Sequence, residues 1–190
     1  MNFSEFKSFL ASINEIIYFD SSNHFRENCS NLPQLKQIII IAEELLDSTN
    51  DEEEKYFLMG TLGNLYRILG ESEKAIILLT DCITNAIKQK NRNKEIVSLI
   101  RLGEAFKYNN NQNKALQIFN DALKKCEHNN STIYLDFVLQ HKGKCLLELN
   151  RIVEAEECLT EALKLRENKG DVRLIKSTQQ VLNFIEKMKK

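Results

Sequence analysis

The chain has 190 residues, 43% of them hydrophobic, with 26 basic residues against 27 acidic ones and a net charge of −1. That is enough apolar material for one domain or one short repeat array, and it leaves no overall field that would draw the chain to nucleic acid or an anionic membrane. The longest apolar cluster, Ile38 to Ala42, is far short of the roughly 20 residues that cross a bilayer, and MNFSEFKSFL lacks the regions of an export signal. A soluble cytoplasmic protein is expected, in which the Asn-x-Ser/Thr matches at Asn2, Asn28, Asn129 and Asn130 carry no weight as glycan sites.

In chain order, Phe3, Phe6, Leu10, Ile13 and Ile17 form a first helical stripe, and Leu35, Ile38, Ile39, Ala42 and Leu46 form a second. Pro33 falls in the first turn of the second helix, where its missing N–H is harmless. The polar stretch DSSNHFRENCSN joins the two, so residues 1–50 read as an irregular helix pair. Asn50 followed by Glu53 has the form of a capping box that starts the next helix. From there the sequence repeats. LGNLY at Leu62 to Tyr66 returns as LGEAF at Leu102 to Phe106 and as KGKCL at Lys142 to Leu146, which places Gly63, Gly103 and Gly143 forty residues apart. Ala75, Ala115 and Ala155 share a slot, as do Leu79, Phe119 and Leu159, then Cys82, Ala122 and Ala162.

The polar run at Asn109 to Asn113 takes its meaning from this register. Asn110 aligns with Gly70 and Asn150, the residue types that enter the left-handed conformation most cheaply and so end helices. After it, Ala115, Ile118, Phe119 and Ala122 follow the spacing of a buried helical face. Each unit is helix, tight turn, helix, giving repeats over 51–90, 91–130 and 131–170. The apolar positions Leu174, Val181, Leu182 and Ile185 make 171–190 a capping helix. No period-2 alternation bounded by hairpin turns is present, so no strands are expected.

These residues resemble the tetratricopeptide repeat family, over about Asp51 to Lys169. The resemblance rests on the Leu-Gly-x-x-Tyr signature in the first helix and on Ala, a large apolar residue and Ala in the second. Met59, Leu99 and Leu139 replace the family's tryptophan, and Ile87, Glu127 and Glu167 replace the proline that ends its second helix. With a period of 40 against the usual 34, the chain is similar to the long-helix subgroup found in kinesin light chains, some polarity scaffolds and bacterial peptide-sensing regulators. The resemblance implies an all-α, right-handed α-solenoid and a non-catalytic interaction scaffold without a cofactor. It would bind a peptide or protein segment, and neither nucleic acid nor membrane, in a concave groove lined by the first helices. Carried over slot by slot, the exposed groove positions are Asn64, Arg67, Arg101, Glu104, Lys107, Gln140, His141 and Lys144. Four fixed positive charges against one negative favour an acidic segment or a free C-terminus. The family's carboxylate clamp is incomplete, with Gly60 in place of its first lysine and Ile100 and Arg101 in place of its second asparagine.

The other reading that the resemblance carries is a peptide-sensing regulator that changes conformation on binding. A distant third is an enzyme using His141 and Cys145, but that pair lacks the further groups that a metal site or an active site needs. Of the five cysteines, Cys82, Cys145 and Cys158 fall in apolar register slots and read as core fillers, while Cys29 lies in the polar loop. KQKNRNK at Lys88 to Lys94 reads as a solvated turn.

Overall fold

The structure is a computed structural model that describes residues 1–128 and 133–189. Asn129, Asn130 and the boundary between the second and third repeats lie outside the described residues. Three antiparallel helix pairs form the body: α3 (Glu52–Leu69) with α4 (Ser72–Lys88), α5 (Arg92–Tyr108) with α6 (Gln112–His128), and α7 (Leu135–Glu148) with α8 (Ile152–Lys169). They are flanked by α1 (Phe3–Leu10) and α2 (Leu32–Ser48) on one side and by α9 (Val172–Met188) on the other. Among the described residues no helix is long and apolar enough to cross a membrane.

Both register arguments hold in three dimensions. Asn110 and Asn150 adopt φ of 54° and 58°, and Gly70 one of 92°, each closing the first helix of its pair. A Cβ placed on Gly103 would lie 2.5 Å from the Phe119 ring, and one on Gly63 or Gly143 would lie 2.6 or 2.7 Å from Leu79 or Leu159. The glycine slot therefore exists because the large apolar slot of the second helix fills it. Ala75, Ala115 and Ala155 are fully buried in the same seams.

Two sequence expectations are corrected. The helix expected to start at Asn50 is capped by Asp51, whose Oδ1 accepts from the backbone N–H of Glu53 and of Glu54, both at 2.9 Å. Aspartate is as good a cap as asparagine, and its charge also suits the positive end of the helix. The second correction is larger. The first stripe is helical only to Leu10. It then passes through a 3₁₀ turn at Ala11–Glu15 into β1 (Ile17–Asp20), which pairs antiparallel with β2 (Arg26–Cys29). Four-residue strands are too short to show alternation, and the turn lacks the Asn-Gly or Asp-Gly signal of a hairpin. It is built from a Ser21–Asn23 3₁₀ turn capped by Asp20, with His24 and Phe25 in the left-handed region. The rest of the chain keeps the expected helical-repeat class.

The last pair is locked to α9 by a buried ionic cluster. Asp136 on α7 is fully buried and pairs with Arg166 Nε at 3.0 Å and Lys169 Nζ at 2.5 Å. Arg166 Nη1 also donates to Thr178 Oγ1 at 2.7 Å and to the Leu174 carbonyl at 3.2 Å. Asp136 and Arg166 together thus tie three helices.

Candidate functional site: the groove of the inner helices

The first helices of the pairs, α3, α5 and α7, lie side by side as an inner layer. The forty-residue register brings equivalent slots next to each other across this layer. Phe57, Val97 and Phe137 share one slot, Thr61, Arg101 and His141 the next, and Asn64, Glu104 and Lys144 the one after. Between these helices and the N-terminal segment lies a cavity of about 520 Å³. Phe57, Val97, Ile100 and Phe137 supply apolar wall, and Leu10 and Ile13 approach from the N-terminal side. Thr61, Asn64, Arg67, Arg101, Glu104 and His141 bring polar atoms to it.

Arg101 is the uncompensated charge of this cavity. It is half-buried, and among the described residues no carboxylate pairs with it. Burial lowers its pKa from the ordinary value, Tyr56 and Cys82 push the other way, and Arg67 adds repulsion. Gly60 makes room for it: a Cβ there would lie 2.3 Å from Arg101 Nη1. The glycine that replaces the family's first clamp lysine is thus a seat for the guanidinium of the next repeat.

Deeper in the groove the charges neutralise one another. Glu104 Oε1 faces Lys107 Nζ at 2.8 Å and His141 Nδ1 at 3.1 Å, with Arg67 Nη1 at 3.9 Å from its other oxygen. Burial alone would raise the Glu104 pKa, but Lys107, His141 and Arg67 outweigh it and hold the carboxyl well below the usual range. Lys107 also lies 3.8 Å from Glu148. Both amide atoms of the buried Gln140 side chain and Nε of Arg67 have no hydrogen-bond partner among the described residues.

The eight groove positions taken from the sequence therefore divide. Asn64, Arg67, Arg101, Glu104 and His141 line the cavity; Lys107, Gln140 and Lys144 do not. Their expected exposure is corrected, because Arg67, Glu104, Lys107, Gln140 and Lys144 are all buried. For Arg67, Lys107 and Lys144 the physical reason is the hairpin, which lies across the C-terminal ends of the inner helices. Arg26 donates from Nε and Nη2 to the two oxygens of Glu148 at 2.9 and 2.7 Å, and from Nη2 to the Lys107 carbonyl at 2.9 Å. Glu27 pairs with Arg67, and its backbone N–H donates to the Tyr108 hydroxyl. Lys144 Nζ donates to the Phe25 carbonyl at 3.1 Å and stands 4.2 Å from the centre of the Phe19 ring. Sequence reading missed Arg26, Glu27, Tyr108 and Glu148. Tyr108 and Glu148 share a register slot with Ile68, one residue beyond the slot of Arg67 and Lys107, and that shared slot was the available signal.

The hairpin's cover has a titratable consequence. Burial, reinforced by Lys107, lowers the Lys144 pKa to about 8. An unfolded lysine titrates near 10.4. Between those values the unfolded chain binds more protons than the folded one, so this residue's contribution to stability rises with pH from about 8 to about 10. Below pH 8 both states are charged and the full cost of burying the ammonium is present. Lys144→Met is expected to flatten that rise in a series of thermal melts between pH 7.5 and 10.5. Parallel wild-type and variant profiles would contradict it.

Cys145, by contrast, is chemically quiet. Its buried thiol donates to the Gln112 carbonyl at 3.4 Å, and burial pushes its pKa up to about 12. His141 directs Nδ1 to Glu104 and lies against Phe119 with ring centres 6.3 Å apart. A thiol buried and held protonated in this way is poorly suited to nucleophilic attack.

The tetratricopeptide repeat family model matches residues 58–86 and 138–169. No curated protein matches in sequence. Among solved structures, the chain is similar to the apo form of RapI at 17% identity and a TM-score of 0.68, over 84% of this chain and 58% of that one. It is similar to PlcR of Bacillus thuringiensis, in complex with the peptide PapR7 and DNA, at 16% identity and a TM-score of 0.68, over 78% of this chain and 54% of that one. A putative kinesin light chain from Podosopora anserina matches at 14% identity and a TM-score of 0.61, over 82% of this chain and 78% of that one. The chain spans about half the length of the first two. At these identities the likeness is one of fold.

Proposed function

We propose that this chain, a tetratricopeptide-repeat protein, is a non-catalytic binding module that holds a short peptide or protein segment in the cavity between α3, α5 and α7, by a carboxylate set against Arg101. The observation that carries the reading is Arg101 itself, a half-buried guanidinium beside an apolar wall with no carboxylate of its own among the described residues. A ligand carboxylate, from an acidic side chain or a free C-terminus, would accept two parallel hydrogen bonds from it. Asn64 and Thr61, one helix away, offer an amide and a hydroxyl to the ligand backbone, and Phe57, Val97 and Phe137 offer apolar contact to its side chains. The fold shared with PlcR, whose structure holds the peptide PapR7, supports a peptide as the ligand class. The buried, high-pKa thiol of Cys145 speaks against the enzyme reading.

The test is an affinity selection from a pool of short peptides with free or amidated C-termini, read by mass spectrometry. Selected peptides should share a carboxylate, and Arg101→Met should weaken them at least tenfold while the melting temperature stays within a few degrees. Gly60→Ala should weaken them too, because the new methyl displaces the guanidinium. Equal affinity for wild type and Arg101→Met would remove Arg101 from the site.

A further inference from the structure

We propose that the C-terminal ends of the inner helices, with the flank of α9, form a second recognition surface for an extended segment carrying an aromatic, a basic and an acidic residue in succession, and that Phe25, Arg26 and Glu27 are its internal occupants, which a partner segment of that order replaces. Each of the three residues meets its own socket. Phe25 packs edge-on against Phe184, ring centres 5.5 Å apart, in a cluster with Leu147 and Val181. Arg26 holds both oxygens of Glu148. Glu27 holds Arg67 on α3. The strand thus crosses the layer from α9 to α3.

The surface also reads main chain. The Tyr108 hydroxyl accepts from the Glu27 backbone N–H and lies 3.2 Å from the Glu27 carbonyl, while Lys144 donates to the Phe25 carbonyl. Side chains that hydrogen-bond the backbone of a strand hold any extended peptide, and flanking sockets then select its sequence. Arg67 and Glu27 border the cavity as well, whereas Glu148, Tyr108 and Phe184 do not line it, so the Glu148 variants test this surface separately from the ligand site proposed above.

The internal occupant is an imperfect one. Phe25 sits at φ of 58°, a region that bulky residues avoid, because the hairpin must turn immediately before the strand. Tyr18 and Phe19 on the partner strand remain 47% and 46% exposed, so the middle of the hairpin is held chiefly by the polar contacts of β2. A segment from another protein would enter without that turn and make the Glu148, Arg67 and Tyr108 contacts of β2 from extended backbone, its aromatic residue approaching the Phe184 pocket without a left-handed residue. Its disadvantage is that the tethered copy competes at an effective concentration of about 1 mM.

The probe is a synthetic peptide spanning Asn23 to Asn31, titrated against the full chain. In the Arg26→Glu chain the pair with Glu148 becomes a repulsion, the hairpin leaves, and the peptide should bind at least tenfold more tightly than to wild type. Adding Glu148→Arg should abolish that binding, because the reversed charges pair again within the chain and the hairpin returns to its seat. A folded Arg26→Glu chain that takes no peptide would overturn the proposal, as would binding indifferent to Glu148→Arg. Should Arg26→Glu not fold, hydrogen exchange of the wild type decides. Amides of Arg26–Cys29 that open faster than those of α5, and faster still with the peptide, support displacement. Amides that open only with global unfolding overturn it.

Discussion

Gly103→Leu is expected to lower the free energy of unfolding by about 3 kcal/mol or more, because its first side-chain atom would fall 2.5 Å from the Phe119 ring. Helix propensity alone gives the opposite sign, since glycine inside a helix is worse than alanine by about 1 kcal/mol. The contact decides the outcome. Phe119 is fully buried, so its ring cannot swing out into solvent to make room. Gly103→Ala should therefore also destabilise, by less than leucine, and Gly103→Ala combined with Phe119→Leu should recover part of the loss. Urea unfolding of the three variants measures this. A stabilised Gly103→Ala would show that the two helices of the repeat part easily, and the close-approach account of the glycine slot would fall.

The second large effect is expected at the junction of α7, α8 and α9. Asp136→Ala should cost about 3–5 kcal/mol, since it leaves Arg166 buried beside Thr178 without its carboxylate and Lys169 without its partner. Removing both charges is a different experiment. Asp136→Leu with Arg166→Met fills the space with apolar atoms and should be much less damaging than Asp136→Ala alone, because the main penalty is the stranded charge and not the lost attraction. Equal losses for the single and double variants would mean that the cluster stabilises by packing, with its charges incidental.

The repeat architecture was legible because close packing leaves marks at fixed intervals. Gly103 exists because of Phe119, Asn110 because a helix must end there in a left-handed residue, and both recur at forty-residue spacing. Arg101 was legible as a groove residue for the same reason, since the register placed it on an inner helix. The hairpin was not legible. Its strands have four residues each, and its left-handed positions are held by His24 and Phe25, residues that seldom signal such a turn. Its docking depends on pairs such as Arg26 with Glu148, separated by 122 residues. Without the hairpin, the buried Lys107, Lys144 and Arg67 read as solvated groove charges. Periodicity says which helix face a side chain takes, and says nothing of what lies over that face.

The cavity is the centre of the functional account, and hydrogen-exchange mass spectrometry of the full chain with its tightest selected peptide tests it most directly. Slowed exchange should appear along α3, α5 and α7, concentrated around Thr61–Asn64, Ile100–Glu104 and Phe137–His141, with α4, α6 and α8 unchanged. Protection confined to α4, α6 and α8 would place the ligand on the outer face and contradict the assignment of the groove.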